Sequence, residues 1–148
     1  MDNCIIKETG NYLQFKDLFE KSGLEFNTDE TGEKPDGFVT AYALYDAEGQ
    51  MKAAVSVTER KGCYIVNDIA VEARCRGKGY GEKLLRKALE LIKSKEADSV
   101  FITAKAPLFF EKYGFYYLAD EDVPDIFGCL KCEQYGKNCM PKFMRYDY

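Results

Sequence analysis

One turn governs what this chain can build. The stretch Arg74-Cys-Arg-Gly77-Lys-Gly79-Tyr-Gly81 joins an apolar, strand-like run, YIVNDIAV over residues 64–71, to the strongest helical pattern in the sequence. Three glycines at alternate positions permit backbone angles that other residues resist, and they let a ligand approach the main chain. The first N–H groups of a helix have no internal partners, and the helix dipole is positive there. A phosphate fits such an end. Arg74, Arg76 and Lys78 add formal charge around it.

Spacing excludes two other phosphate loops. A P-loop needs G-x-x-x-x-G-K-[ST], but here Gly81 is followed by Glu82, Lys83 and Leu84, so no hydroxyl is placed for magnesium. The dinucleotide fingerprint G-x-G-x-x-G needs its third glycine one residue later. It also belongs at the first strand of a parallel unit, whereas this turn follows three hairpin-like strands.

The rest of the pattern supports an α/β chain. Residues 4–7 read as a first strand and 11–22 as a helix. The polar stretch 27–37 reads as an exposed loop. Residues 38–45, 51–58 and 64–71 read as consecutive strands joined by Asp46-Ala-Glu-Gly49 and Lys61-Gly62. The period then changes. Leu84, Leu85, Ala88, Leu89 and Ile92 share one face of a helix, opposite Glu82, Lys83, Arg86, Lys87 and Glu90. A strand over 99–103, a short helix over 108–113 and strands over 115–118 and 141–146 complete the reading. The order is β-α-β-β-β-α-β-α-β before the tail, a mixed and mostly antiparallel sheet flanked by helices.

Composition narrows the chemistry. The chain has 148 residues, expected to form one domain over 1–148, with a Cys-rich tail from about 128 packed on it. It contains no His, which removes Ser-His-Asp triads, Cys-His dyads and His-ligated metals. A general base must be a carboxylate, Cys, Tyr, Lys or water. The net charge of −4 argues against nucleic acid as the main partner. Residues 72–95 nevertheless carry eight Lys/Arg against three Glu, a local basic patch suited to a small anion. No apolar run approaches a membrane span and the start lacks a secretion signal, so a cytoplasmic protein with reduced thiols is expected.

At the turn the sequence resembles a known family. Arg74-x-x-Gly77-x-Gly79 matches the Q/R-x-x-G-x-G/A signature of the GNAT N-acetyltransferase superfamily. The preceding NDIAVEAR resembles that family's fourth strand, and Phe109-Phe-Glu-Lys-Tyr-Gly-Phe115 resembles its FYEKLGF segment. The resemblance implies a GNAT-like fold, acetyl-CoA as co-substrate, and an amine acceptor, either a small molecule or an amino acid. It is compatible with a homodimer. It implies that the diphosphate rests on main-chain N–H groups of Arg76, Gly77, Lys78, Gly79, Tyr80, Gly81 and Glu82. The pantetheine arm would lie along Ile69, Ala70 and Val71, where the family's fourth and fifth strands splay. An N–H of that strand would polarise the acetyl carbonyl.

One departure affects the acid. The family usually places a Tyr just before Glu-Lys, and here that position is Phe110, expected beside the cofactor. Tyr113 is the substitute candidate, and packing beside Phe115 is its alternative role. Asp68 is the candidate base. By strand alternation it shares a face with Val66 and Ala70, and burial of that face would raise its pKa. Glu72 and a water chain are the other options. A cofactor sensor without turnover is the competing reading, with Phe110 as its support. The exit 103–110 (TAKAPLFF) lacks the Asn many members place there. It resembles the T-x-x-A-x-x-F-F ending of N-acetylglutamate synthase and citrate lyase ligase acetyltransferase-like domains.

Cys129, Cys132 and Cys139 are spaced C-x2-C-x6-C. Zinc would need a fourth ligand from Cys4, Cys63, Cys75 or a carboxylate, and a redox pair is the other specific option. Ordinary thiols, with no metal site, are the favoured reading.

The phosphate placement makes a direct prediction. Gly79→Asp puts a side chain and a negative charge against the diphosphate. Thermal stabilisation by CoA should be lost in this variant, and an unchanged shift would count against the placement.

Overall fold

Turn chemistry and alternation set the first half of the molecule. The computed structural model describes residues 4–24, 28, 31–126 and 142–148. An edge strand β1 (Ile5–Thr9) leads through a 3-10 turn (Tyr12–Phe15) into a short helix α1 (Lys16–Lys21). Three antiparallel strands follow: β2 (Phe38–Tyr45), β3 (Met51–Arg60) and β4 (Cys63–Val71). The β2–β3 connection closes because the Asp46 carboxylate accepts the N–H groups of Glu48 and Gln50, each at 2.9 Å.

The glycine-rich turn then feeds α2 (Tyr80–Ser94), which crosses to β5 (Ser99–Ala104). A helical turn α3 (Pro107–Glu111), a two-residue strand β6 (Tyr116–Tyr117) and β7 (Lys142–Asp147) follow among the described residues. The seven-stranded sheet runs β1-β2-β3-β4-β5-β7-β6. Every neighbouring pair is antiparallel except β4 with β5, which the α2 crossover makes parallel.

Two faces of this sheet bury different chemistry. On one, Leu84, Leu85, Ala88 and Ile92 of α2 pack on Val55, Val57, Val66, Val100 and Ile102. Phe110, Phe115 and Met144 close that cluster. On the other, Tyr12, Phe15 and Phe19 lie over Ala41, Ala43, Ala54 and Ala70. Alanine is a modest strand former, but here its small side chain seats the rings. Phe15 and Phe19 stand 5.4 Å apart and Tyr12 stands edge-on to Phe15 at 5.9 Å. Burial of each Phe contributes about 2–3 kcal/mol.

A third, smaller cluster joins Ile65, Phe101, Ile126 and Phe143 lower on the same face as α1. Phe143 brings the last strand into the core as expected. Cys4, Cys63 and Cys75 are free thiols. Cys129, Cys132 and Cys139 lie outside the described residues. Among those described, no group of three Cys, Asp or Glu is placed to hold a metal. No helix among them is long and apolar enough to cross a membrane.

Gly37 is the tightest joint in the frame. Its φ is +75°, and a Cβ built there would lie 2.2 Å from the Glu59 carbonyl oxygen. Its own carbonyl accepts the Glu59 N–H at 2.8 Å. Gly37→Ala therefore adds backbone strain to an overpacked contact, and should lower stability by about 2–4 kcal/mol in a denaturant titration.

Candidate active site

The glycines have separate physical duties. Gly77 has φ +88° and Gly79 φ +81°, both in the region closed to most side chains. A Cβ at either position would meet nothing within 4 Å, so the space beyond them is open. Gly81 lies inside α2 and is needed for closeness instead. Its Cβ would stand 3.2 Å from the Phe109 ring and 3.5 Å from a Val71 methyl. The turn is thereby pulled down onto the end of β4.

The turn leaves donors for a ligand. The first α-helical bond of α2 runs from the Lys83 N–H to the Gly79 carbonyl, at 3.1 Å. Main-chain N–H groups from Gly77 to Glu82 precede the internal ladder, and Gly79 has no side chain to cap them. The Arg76 N–H, expected among the donors, is instead given to the Ala73 carbonyl at 3.4 Å. Residues 76–79 are exposed. Arg74, Arg76 and Lys78 form no ion pair among the described residues. The turn therefore combines main-chain donors at a helix start with three exposed cations.

Beside the cradle the sheet opens. β4 and β5 pair only at Tyr64 with Val100 and Ile65 with Phe101. Beyond these positions they diverge, so residues 66–71 have no partner on β5. Ile69 and Val71 face α2, while Ala70 faces α1. The three residues expected along a cofactor arm therefore line the unpaired edge.

The strand is not regular there. Ser56 pairs with Asp68 but Val57 pairs with Val66, so Asn67 is an extra residue, a β-bulge. This corrects the simple alternation. Asp68 shares a face with Ala70 but not with Val66, because the bulge turns Val66 toward α2 and Asp68 toward α1.

Asp68 consequently sits in a network assembled from distant segments. The Tyr12 hydroxyl donates to its Oδ2 at 2.8 Å, and the Asn67 amide donates to the same oxygen at 2.8 Å. Arg60 donates to the Asn67 oxygen at 3.3 Å and to the carbonyls of Asp36 and Ile126, each at 3.1 Å. Asp68 is only partly open to solvent. Loss of hydration pushes its carboxyl up to about 6, although Tyr12, Asn67, Arg60 and Lys105 all pull the other way. Burial, then the Asp68 charge, hold the Tyr12 phenol above its usual value.

The other candidates occupy other places. Tyr113 stands against Phe109, with ring centroids 5.1 Å apart. Its hydroxyl donates to Glu82 Oε1 in the first turn of α2 at 2.8 Å. That bond raises the Tyr113 pKa and lowers that of Glu82, which Arg86 also contacts at 3.3 Å. Phe110 is 4% exposed, with its ring between Phe109 and Phe115, so its side chain serves the core. Phe109 is the aromatic that touches the turn. Glu72 pairs with Lys52 at 3.2 Å.

Sequence reasoning passed over Tyr12, Asn67 and Arg60. Tyr12 read as one more apolar helix position. The usable signal was the Asn-Asp pair inside an apolar strand, since both residues are disfavoured there and mark bulges.

The family model "Acetyltransferase (GNAT) family" matches residues 5–115. No curated protein matches by sequence. Among solved structures, Rv2747 from Mycobacterium tuberculosis in complex with CoA superposes with a TM-score of 0.75 at 14% identity, covering 97% of this chain and 99% of that one. IAA acetyltransferase from Bacillus cereus gives 0.69 at 17% identity, with 99% and 100% covered. N-acetylglutamate synthase from Neisseria gonorrhoeae, complexed with coenzyme A and N-acetyl-glutamate, gives 0.71 at 14% identity. The match covers 97% of this chain but 35% of that larger protein. With the family model matching residues 5–115, most of its length, this chain belongs to the acetyltransferase (GNAT) family.

Proposed function

We propose that this protein transfers the acetyl group of acetyl-CoA directly to a primary amine of a small molecule or amino acid. The observation that carries this reading is the position of Asp68, a carboxylate of raised pKa beside the unpaired edge of β4. Acetyl-CoA, when bound, supplies the acetyl group as a thioester whose C–S bond breaks as the new N–C bond forms. The N–H groups of residues 77–82 hold the diphosphate, and those of the open β4 edge are the candidates to donate to a carbonyl.

Asp68 is the base. An acceptor amine arrives as an ammonium and must lose a proton before it attacks. With its pKa near 6, Asp68 is mostly ionised at neutral pH yet basic enough to take that proton. Tyr12 and Asn67 fix the carboxylate orientation. Tyr113 is the proposed proton source for the leaving thiolate. Its hydroxyl donates to Glu82 Oε1 at the start of α2, and it must leave that bond to reach the thiolate.

Two outcomes test the base. The rate kcat/KM should fall with unit slope as pH drops through about 6, because protonated Asp68 cannot accept. Asp68→Asn should lower kcat/KM by about 100-fold or more and abolish that limb while CoA still binds, as followed by free-thiol release and calorimetry. Tyr12→Phe removes a hydrogen bond that favours the ionised carboxylate. The limb should then move above pH 6 with the acceptor KM little changed, and a limb that stayed in place would separate Tyr12 from the base.

A further inference from the structure

On the sheet face turned away from α2, the two apolar clusters do not merge. The aromatic group around Tyr12 and the group around Ile65 are separated by a polar strip. By strand parity the strip contains Ser56 and Thr58 of β3, Asp68 of β4 and Thr103 of β5, with Lys105 just past the end of β5. The hydroxyls of Ser56, Thr58 and Thr103 are buried and have no hydrogen-bond partner among the described residues. Orphaned hydroxyls are costly, and these make the interior beside the partly open Asp68 carboxylate polar.

The charges on this strip are unbalanced. Arg60 and Lys105 both act on the Asp68 carboxylate. Arg60 is consumed by three acceptors, the Asp36 and Ile126 carbonyls and the Asn67 side chain. Lys105 differs. It is exposed, and its ammonium donates to the carbonyl of Gly23, just beyond α1. A lysine has three donors, so two remain for a ligand. An amine that is only a cation meets net repulsion here. A zwitterion does not.

We propose that the acceptor carries a carboxylate beside its amine, and that Lys105 grips this carboxylate while Asp68 takes the amine proton. The proposal rests on the transferase reading above and narrows it to amino-acid-like acceptors. The proton passes from the ammonium nitrogen to Asp68. The acceptor carboxylate stays ionised throughout, paired with Lys105.

The test uses free α-amino acids against the corresponding amino-acid amides. Both sets are assayed by CoA thiol release and by thermal shift of the CoA-saturated protein. Acids should exceed their amides in kcat/KM by about tenfold or more. Lys105→Met should collapse that ratio toward one, and Lys105→Arg should restore most of it. Melting temperatures of the two variants without ligand report on the lost Gly23 contact. Amides used as well as acids, or a preference that survives Lys105→Met, would overturn the proposal. If neither set released thiol, the transferase reading would fail. An acid-specific thermal shift abolished in Lys105→Met would then still support Lys105 as a carboxylate anchor, and absence of any such shift would overturn it.

Discussion

β4 and β5 hold together at two positions and then part, and the rest of the molecule is arranged around that separation. A parted pair of strands leaves main-chain donors and acceptors without partners in the middle of a sheet, which is costly unless something answers them. β5 tolerates the loss because its other edge is fully used: all six of its residues pair with β7. β4 tolerates it because β3 pairs along its other edge, interrupted only at the bulge. The last strand therefore serves the site from a distance, by holding open a cleft that it does not line.

The cleft is finished at its wide end by a helix start. Gly81 has no side chain, so α2 settles onto Val71 and Phe109, and the exposed turn ahead of it faces the opening. The turn is thus a main-chain construction, set by glycine conformation and the helix terminus. On the opposite face the network around Asp68 is built from side chains, those of Tyr12, Asn67 and Arg60. One sheet carries two arrangements of different physical kinds.

This division explains what was legible in the sequence. Periodicity located β2, α2 and the hairpin strands within a residue or two, because each buries one clean face. The glycine turn that opens α2 was legible too, since glycine spacing is a local signal. The network around Asp68 was not. Tyr12 and Asp68 are 56 residues apart in the chain, and only the assembled sheet brings them together. The bulge at Asn67 also defeated strict alternation, which put Val66 on the wrong face. Phe110, expected beside the cofactor, is core; its neighbour Phe109 took the position at the turn, a one-residue rotation that a short helix conceals.

The alanines under Tyr12, Phe15 and Phe19 have a consequence for how such a protein can diversify. Ala41, Ala43, Ala54 and Ala70 spread across three strands, and each can grow by a methyl group or two without touching the glycine turn. Enlarging any of them would tilt the ring stack and carry the Tyr12 hydroxyl, and with it the Asp68 carboxylate it bonds, to a new angle. The network around Asp68 can thus be retuned from beneath, by interior volume, while the glycine turn on the other face stays as it is.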